Sequence, residues 1–557
     1  MTITIRYRTT RPEGVPAFSN RNFQSLSLNT AAAGTPPEGF ADAILPARGA
    51  TLAESIYLSG LFLPPALCSA IGTCGLCRVR YLKDIPPPSD AERETLSHHD
   101  LDAGWRLACR RPAEGGTHVL VPAWPVPDEH DGKPTPLPAV KRPRPASLAV
   151  DLGTTTVAWR IVTDGDGEKP HGSFINPQMG AGSDVISRVA HAATPEGAAR
   201  LAHLITAALE RLVRHATTLG FRTDEICVAA NPAMTAILLG KSTACLARAP
   251  YSLPFAGASV ATLPGLPPVY IPPPISPFVG GDASAGYAAL ALDPDREPPE
   301  FPFLLADIGT NGECILALSP DEAFAASTPM GPALEGINLR YGMTAGPGAV
   351  LEYTLTPLGL EPVTRENTAP TGITATGYLT LLKALRATGI LTEEGTFAAP
   401  GGASPLAARI GGNQSNEGHG ARRKEPSIRL PGKMMLFASD VEEILKVKAA
   451  FSLAISRLLR EAGLRGADLK RICLAGALGT NAPASSLTGL GFLPPGTETR
   501  IRAVGNTALD GAALLLAREE TRKACADWAG RIVTVDLAGD PGFGEEYARH
   551  MAFAWHS

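Results

Sequence analysis

The stretch Cys68-Ser-Ala-Ile-Gly-Thr-Cys74-Gly-Leu-Cys77 places three thiols within ten residues, on a loop too short and too glycine-rich for a helix. A fourth thiol, Cys109, follows in Trp105-Arg-Leu-Ala-Cys109. The spacing C-x5-C-x2-C with a distant fourth cysteine suits one small inorganic cluster surrounded by a loop. Small residues between the thiols let the backbone turn tightly and direct amide N–H groups at sulfur. Our working interpretation is a [2Fe–2S] site whose electrons the rest of the chain uses.

The length and composition of the chain indicate a multidomain globular protein. It has 557 residues, 44% of them apolar, and a formal charge of -4, so no basic excess indicates nucleic-acid binding. The first residues lack the apolar core of a signal peptide, and no apolar run reaches the length of a membrane span. We therefore expect a cytoplasmic protein with no nucleic-acid or membrane partner.

The cysteines that lie outside the loop show no second cluster pattern. Of nine cysteines, five stand alone, mostly among apolar residues, and disulfides are unusual in the cytosol. We interpret these five as buried structural thiols. They are Cys227, Cys245, Cys314, Cys473 and Cys525.

Residues 1–122 are predicted to form one small domain. Its expected elements are a strand (Thr2–Arg8), a long loop or insertion (9–48), a short helix (Thr51–Gly60), the thiol loop, a strand from Arg78 and a closing strand (Thr117–Pro122). This order is typical of a ferredoxin β-grasp, and the segment resembles the plant- and adrenodoxin-type [2Fe–2S] ferredoxin domain. The resemblance implies that Cys68, Cys74, Cys77 and Cys109 are the cluster ligands.

Two features qualify the cluster interpretation. Ser69 and Ala70 stand where glycines are common in that family, which bears on amide–sulfur hydrogen bonds and on the reduction potential. The alternative is a structural zinc site, but zinc sites usually contain two C-x2-C pairs, and the loop has one.

Residues 123–146 form a proline-rich linker, which we expect to act as a semi-rigid spacer that lets the cluster domain swing, or as an inert tether. After it, Ser147-Leu-Ala-Val-Asp151-Leu-Gly153-Thr154-Thr155-Thr156 runs from an apolar strand into a Gly–Thr turn. A near-copy follows at Phe303-Leu-Leu-Ala-Asp307-Ile-Gly309-Thr310-Asn311-Gly312. Two copies indicate an internal repeat. Glycine lets the backbone approach phosphate oxygens, and amides and hydroxyls donate to them.

The repeat resembles the acetate kinase/sugar kinase/Hsp70/actin superfamily, whose two ribonuclease-H-like halves bind ATP in a cleft. The resemblance predicts an α/β ATPase domain of two subdomains over 147–557. It implies two phosphate loops, containing Gly153, Thr154 and Thr155, and Gly309, Thr310 and Asn311. Leu474–Asn481 resembles the adenosine motif, with Gly476 and Gly479. Val279–Gly286 and Val504–Ala512 resemble the two connecting helices, whose small residues permit close packing.

Two further segments carry local predictions. A helix is expected to start at Ser439, with Glu442 completing a capping box, and to end at Gly463. Ala403–Pro431 is polar and glycine-rich, so we expect a flexible surface insertion.

A cluster domain joined to this type of ATPase resembles the ATP-dependent reductive activators of corrinoid proteins. Further matching stretches are Asn176–Arg188, Asn231–Thr235, Gly331–Asn338 and Gly342–Ala349. The resemblance implies reduction of a corrinoid from Co(II) to Co(I), the state that accepts methyl groups. The implied partners are a corrinoid protein or corrinoid-dependent methyltransferase subunit, a low-potential electron donor and a second copy in a homodimer. Little sequence separates the linker from Asp151, so we expect the middle domain of longer relatives to be absent.

In this interpretation Asp151 and Asp307 are the catalytic carboxylates. They would position ATP, Mg²⁺ and water, whereas Glu335 and Asp282 could equally be structural carboxylates at helix starts. Three alternatives remain: a small-molecule kinase with a redox-sensing cluster, an ATP-dependent activator of another metalloenzyme, and a plain electron carrier whose ATPase half docks a partner.

Overall fold

The structure, a computed structural model, forms two compact units, Met1–Pro272 with Leu515–Glu519 and Pro273–Leu514 with Glu520–Ser557. Within the described part of the chain, no helix is long and apolar enough to cross a membrane. The described residues are 1–9, 36–37, 39–47, 50–62, 64–65, 67–72, 74–123, 143–164, 169–331, 333–398, 410–412, 425–432, 434–537 and 539–557.

Strands and helices of the first unit include both the predicted ferredoxin domain and the first half of the predicted ATPase. They are β1 (Thr2–Arg8), β2 (Phe40–Pro46), α1 (Leu52–Tyr57), β3 (Arg78–Tyr81), α2 (Asp90–Thr95), α3 (His98–Asp102), β4 (Trp105–Leu107), β5 (His118–Leu120), β6 (Arg144–Leu152), β7 (Thr156–Val162), β8 (His171–Ile175), α4 (Val185–His191), α5 (Pro195–Thr218), β9 (Phe221–Ala230), α6 (Pro232–Leu238), α7 (Ala244–Ala247), β10 (Ser259–Ala261) and β11 (Val269–Ile271).

The elements that follow Pro272 form the second unit, apart from the short return at Leu515–Glu519. They are α8 (Gly281–Tyr287), β12 (Phe303–Ile308), β13 (Asn311–Ala317), β14 (Ala323–Pro329), β15 (Ala349–Thr356), β16 (Gly359–Thr364), β17 (Gly372–Ile373), α9 (Ala375–Ala387), β18 (Ile410–Gly412), β19 (Pro426–Arg429), β20 (Met435–Phe437), α10 (Ala438–Glu461), β21 (Arg471–Ala475), α11 (Gly476–Asn481), α12 (Ala484–Gly489), β22 (Ile501–Gly505), α13 (Thr507–Ala517), α14 (Glu519–Ala529), β23 (Val533–Thr534) and α15 (Phe543–His550).

A five-stranded sheet of order β2-β1-β5-β3-β4 forms the predicted ferredoxin domain. Alternate residues of β1, Ile3, Ile5 and Tyr7, are buried in its core, as the sequence pattern predicts. Strand β2 lies inside the segment predicted as a loop, so that prediction is wrong at this end; residues 10–35 lie outside the described part. The sequence of β2 has only a weak alternation of apolar and polar residues. The strand is held by antiparallel pairing with β1 and by an ion pair, 2.8 Å long, between buried Arg6 and Asp42.

The two six-stranded sheets share a five-stranded topology and differ in the sixth strand, β10 or β23, which lies at opposite edges; the shared part confirms the predicted duplication. In the first, the order is β10-β11-β9-β6-β7-β8, and in the second it is β22-β21-β12-β13-β14-β23. Each contains an antiparallel meander, β6-β7-β8 or β12-β13-β14, flanked by parallel strands, β9 with β11 or β21 with β22. The Asp–Gly–Thr turns therefore occupy equivalent hairpins.

Three boundary predictions need correction. Strand β6 begins at Arg144, so the end of the predicted linker belongs to the sheet; 124–142 lie outside the described residues. Helix α10 begins at Ala438, and Asp440 rather than Glu442 accepts the Phe437 N–H at 3.2 Å, because Asp440 is third in the helix. Strand β19 occupies part of the predicted 403–431 insertion and pairs with β20, whereas most of the insertion lies outside the described residues.

The two predicted connecting helices pack closely through small residues, as expected. A Cβ atom added to Gly286 of α8 would lie 2.8 Å from the Thr507 hydroxyl, and one added to Gly511 of α13 would lie 1.8 Å from the Ala285 carbonyl oxygen. Larger side chains at either glycine would force the helices apart. The small residues of these motifs therefore have a packing role.

Candidate cluster site and nucleotide loops

The four predicted cluster ligands, Cys68, Cys74, Cys77 and Cys109, line one cavity of about 110 Å³. A hydrogen bond with Cys68, together with burial, raises the pKa of the Cys74 thiol, and Cys109 acts in the same way on Cys77. Thiolates so close to each other need a cation to neutralise them, and iron would supply that charge. The described residues contain no group of three or more His, Cys, Asp or Glu side chains arranged around a single metal ion. Four thiols around one cavity are the donor set that a [2Fe–2S] cluster takes.

The cysteine loop has a left-handed backbone at four described positions. Gly72 and Gly75 have φ of +90° and +66°, and Ser69 and Ala70 have φ of +47° and +64°. The left-handed region costs non-glycine residues about 1–2 kcal/mol each, which explains why glycine is common at such positions. The serine and alanine noted in the sequence therefore adopt the backbone conformation that glycine favours.

The first predicted phosphate loop is the turn between β6 and β7. Asp151 lies on β6, and a Cβ atom at Gly153 would lie 2.6 Å from the Thr156 carbonyl oxygen, so only glycine fits the turn. Asn231 Nδ2 donates to the buried Thr154 hydroxyl at 3.2 Å. The structure thus brings the predicted residues of this loop together on one hairpin.

Two buried side chains fix the first loop and had no assigned role in the sequence analysis. Asn176 donates from its backbone N–H to the Thr155 carbonyl at 2.9 Å and from Nδ2 to the Gly153 carbonyl at 2.9 Å. The fully buried Arg188 donates to the Thr154 carbonyl oxygen. Both belong to the Asn176–Arg188 stretch quoted for the family resemblance, which was the available signal, but their contacts depend on tertiary structure.

Hydrogen bonds also fix the second predicted phosphate loop, between β12 and β13. The backbone N–H groups of Met330 and Gly331 donate to the Thr310 carbonyl at 3.1 and 3.0 Å. The Thr310 hydroxyl donates to Glu335 Oε1 at 2.5 Å, so this carboxylate contacts the loop directly. Glu335, a lesser candidate in the sequence, thus contributes to the loop geometry.

Partly buried carboxylates surround the second loop. Burial raises the pKa of Asp307 to about 6. Burial, with the nearby charge of Asp307, raises the pKa of Asp282 to about 7 and also raises that of Glu313. Sequence reasoning missed Glu313, although it lies two residues after Asn311 on the same strand. Mg²⁺ prefers such oxygen ligands, usually one or two carboxylates with water and substrate phosphate.

The predicted adenosine motif contacts the second loop. Gly476, with φ of +79°, stands where a Cβ atom would lie 2.6 Å from Asp307 Oδ1. At Gly479 a Cβ atom would lie 2.8 Å from the backbone of Leu474, on the strand that leads into the helix. Both glycines are therefore required where α11 leaves β21, beside Asp307 on β12.

Sequence comparison identifies three successive segments. Residues 46–114 match the 2Fe-2S iron-sulfur cluster binding domain, 146–295 match the RACo middle region, and 302–557 match the C-terminal domain of RACo, the ASKHA domain. The chain belongs to the RACo family. Its first segment is thus a domain of the type that binds a 2Fe–2S cluster, and its last is of a type that binds ATP. The expectation of an absent middle domain is wrong, because the middle-region match contains β6 and Asp151.

Relatives of this RACo-family chain agree with that assignment. The corrinoid activation enzyme RamQ of Eubacterium limosum is 29% identical over 443 residues, covering 75% of this chain and 72% of the relative. The Co(II) methylated amine-specific corrinoid protein reductase of Methanosarcina barkeri is 28% identical over 263 residues, 43% of each chain. A solved reductive activator for corrinoid, iron-sulfur protein has a TM-score of 0.62 at 21% identity, over 90% of this chain and 95% of that one, and supports the fold.

The N-terminal segment has relatives of its own. One component of the Na⁺-translocating NADH-quinone reductase of Chlamydia pneumoniae is 39% identical over 62 residues, 11% of this chain and 14% of the relative.

The fold class predicted from the sequence is confirmed. The individual ligand and catalytic residues stay predictions.

Proposed function

We propose that this protein is an ATP-dependent reductive activator of a corrinoid protein. One electron passes from the reduced [2Fe–2S] cluster to the Co(II) corrinoid of a partner, which becomes Co(I), the form that accepts a methyl group. The observation that carries the proposal is the presence, in one chain, of the four-cysteine cavity and the duplicated Asp–Gly–Thr hairpins. The names of the relatives point to the same substrate class.

Energetics explain why an ATPase would accompany the cluster. Plant-type clusters have potentials of about −400 mV, and Co(I) corrinoids are stronger reductants than that. Transfer to cobalt is therefore uphill unless nucleotide binding or hydrolysis changes the relative free energies of two protein states. The cluster, when bound, supplies a one-electron donor.

The residues of the chain take separate roles in this proposal. Cys68, Cys74, Cys77 and Cys109 would hold the cluster. Threonine hydroxyls and loop amides would bind phosphate oxygens. Asp307, with Asp282 and Glu313 beside it, has the donor chemistry to hold Mg²⁺ and to orient the attacking water, and Asp151 would act from the first loop.

The decisive experiment measures Co(I) absorbance in a mixture of the protein, a Co(II) corrinoid protein and a low-potential donor. Co(I) should accumulate only when ATP and magnesium are both present. Accumulation without ATP would instead indicate a plain electron carrier. Failure with every corrinoid partner would reject the proposal and leave an activator of another metalloenzyme, or a kinase with a redox-sensing cluster.

Replacing a ligand tests the cluster site separately. Cys74→Ala should lose the visible absorption of the cluster yet still bind ATP, because the side chains that hold the phosphate loops do not include Cys74. Cys245→Ala is the matched control, since Cys245 lies outside the cavity. Unchanged visible absorption in Cys74→Ala would contradict the ligand assignment.

Assembly is part of the same proposal. A homodimer would have about twice the 58.0 kDa mass of the chain in sedimentation. A monomer under the conditions of activity would remove the dimer from the proposal and leave the reaction unchanged.

A further inference from the structure

One short segment, Asn176–Arg188, contacts both the first phosphate loop and the cysteine loop. It leaves β8, forms a 3₁₀ turn at Pro177–Ala181 and continues into α4. Its two ends contact the phosphate loop, and its middle contacts the cysteine loop. All of these residues belong to the first compact unit.

At the nucleotide side, both ends of the segment bind backbone carbonyls of the phosphate loop. Asn176 donates to the Gly153 and Thr155 carbonyls, each at 2.9 Å, and buried Arg188 donates to the Thr154 carbonyl. A change in the loop backbone on phosphate binding would therefore move the ends of the segment.

At the cluster side, the contact is polar and centres on Ser69. The Ser69 hydroxyl lies 2.7 Å from the Ser183 hydroxyl, donates to Asp184 Oδ2 at 3.0 Å and accepts the Ser183 N–H at 2.8 Å. Ser69 has the left-handed backbone that favours glycine, with φ of +47°. A serine thus stands where glycine would be less strained, and its side chain contacts Asp184.

Apolar contacts place the same segment against the cluster cavity. Met179 is 1% exposed and packs in the hydrophobic core of the ferredoxin domain. A Cβ atom at Gly180 would lie 2.9 Å from the Cβ atom of Tyr57, so the turn lies directly on α1. Met179, Gly180, Ala181 and Gly182 line the cavity together with the four cysteines. The segment therefore forms one wall of the cluster environment.

We propose that Asn176–Arg188 couples the first phosphate loop to the cluster, with the Ser69–Asp184 contact as the link to the cysteine loop. This inference rests on the proposed nucleotide site. A segment bound at both sites can transmit a change at one to the other, so nucleotide binding and cluster reduction are thermodynamically coupled. Nucleotide adds negative charge to the loop, so the oxidised cluster is favoured and the midpoint potential falls.

Thermodynamic linkage makes the proposal quantitative. The ratio of nucleotide affinities for the oxidised and reduced protein fixes the shift in midpoint potential that nucleotide binding causes. Each tenfold ratio corresponds to a shift of about 59 mV for one electron. A coupling of ordinary size corresponds to a ratio of about 5–150-fold. The two quantities are measured independently, by binding of the β,γ-imido analogue of ATP with magnesium and by redox titration.

Two variants remove the link and preserve the surrounding structure. Ser69→Gly removes the hydroxyl and suits the left-handed backbone, and Asp184→Asn can still cap α4 by accepting the Ser187 N–H. Both should bind the analogue but give an affinity ratio near one. Ser69→Gly should also speed hydrogen exchange across peptides that contain Ser183, because it removes the acceptor of the Ser183 N–H, and this readout needs no cluster. Asp84→Gly is the matched control, because Asp84 is another left-handed residue of this domain and is exposed.

The outcomes separate the inference from the proposed function. No binding of the analogue to the wild-type protein would reject the nucleotide site itself. Binding with equal affinity in both redox states would reject the coupling and leave the nucleotide site intact. A wild-type ratio retained in both Ser69→Gly and Asp184→Asn would reject the Ser69–Asp184 link.

Discussion

The two Asp–Gly–Thr hairpins have the same backbone topology but different surroundings. The turn between β6 and β7 is held by neutral and basic groups. Asn176 and Arg188 donate hydrogen bonds to its carbonyl oxygens, and Asn231 donates to the Thr154 hydroxyl. The turn between β12 and β13 has carboxylates nearby. Glu335 accepts a hydrogen bond from the Thr310 hydroxyl, and the charge of Asp307 helps to raise the pKa of Asp282. A repeated motif therefore need not imply a repeated role.

This difference indicates that the two loops have different roles. The first loop has hydrogen-bonded carbonyls and a glycine with no room for a side chain, which suits presentation of amide donors to phosphate. Nearby carboxylates with raised pKa values characterise the second loop, and such features are common at reacting centres. We expect the second loop to control metal binding and hydrolysis more strongly than the first.

The largest effect is expected on ATP hydrolysis, when the aspartates of the two hairpins are replaced separately and the two variants are compared. Asp307→Asn should reduce ATP hydrolysis by about 10²–10³-fold, because it removes a carboxylate from the group that would hold Mg²⁺. Asp151→Asn should cause a clearly smaller loss. Steady-state phosphate release measures both, and the visible absorption of the cluster should be unchanged in each variant. Equal losses would contradict unequal roles for the two loops.

A second comparison concerns the glycines at equivalent positions of the hairpins. In Gly153→Ala the new methyl group would lie 2.6 Å from the Thr156 carbonyl oxygen, whereas in Gly309→Ala the nearest atom, the Asn311 carbonyl oxygen, is 3.6 Å away. Gly153→Ala should destabilise its unit by about 1–3 kcal/mol, and Gly309→Ala should be nearly neutral. Chemical denaturation measures both variants. A tolerated Gly153→Ala would show that the first turn is adaptable.

The smallest effect concerns the pH dependence of stability at the second loop. The pKa of Asp282 is about 7 in the folded protein against an ordinary value of 3.8, so folding favours its protonated form. The contribution of Asp282 to the free energy of unfolding is therefore fully present below about pH 4 and is lost as the pH rises through 7. Asp282→Asn should therefore raise the melting temperature of the nucleotide-free protein by at least about 2 °C at pH 8 and leave it little changed at pH 4.5.

The control for this measurement is Glu297→Gln, which removes an exposed carboxylate from the same unit. It should change the melting temperature little at either pH. An Asp282→Asn variant less stable than the wild type at pH 8 would show that the charged form of Asp282 stabilises the fold.

Most of the architecture could be predicted because it depends on local spacing. The strand pattern of Ile3, Ile5 and Tyr7 and the Asp–Gly–Thr repeat follow from neighbouring residues. Strand β2 could not be predicted in the same way, since its pairing with β1 and the Arg6–Asp42 ion pair supply what its own sequence lacks. Glu313 was missed because its raised pKa comes from burial and from neighbours distant in sequence.

The sequence by itself determined the cysteine spacing, the duplicated hairpins and the glycines that their turns require, because each depends on a few consecutive residues. Tertiary structure alone decided which side chains hold those turns and what lies beside the cluster. Ser69 contacts Ser183 and Asp184 across 114 and 115 residues of chain. No local pattern encodes such a contact, because it forms only when two separately patterned segments pack together.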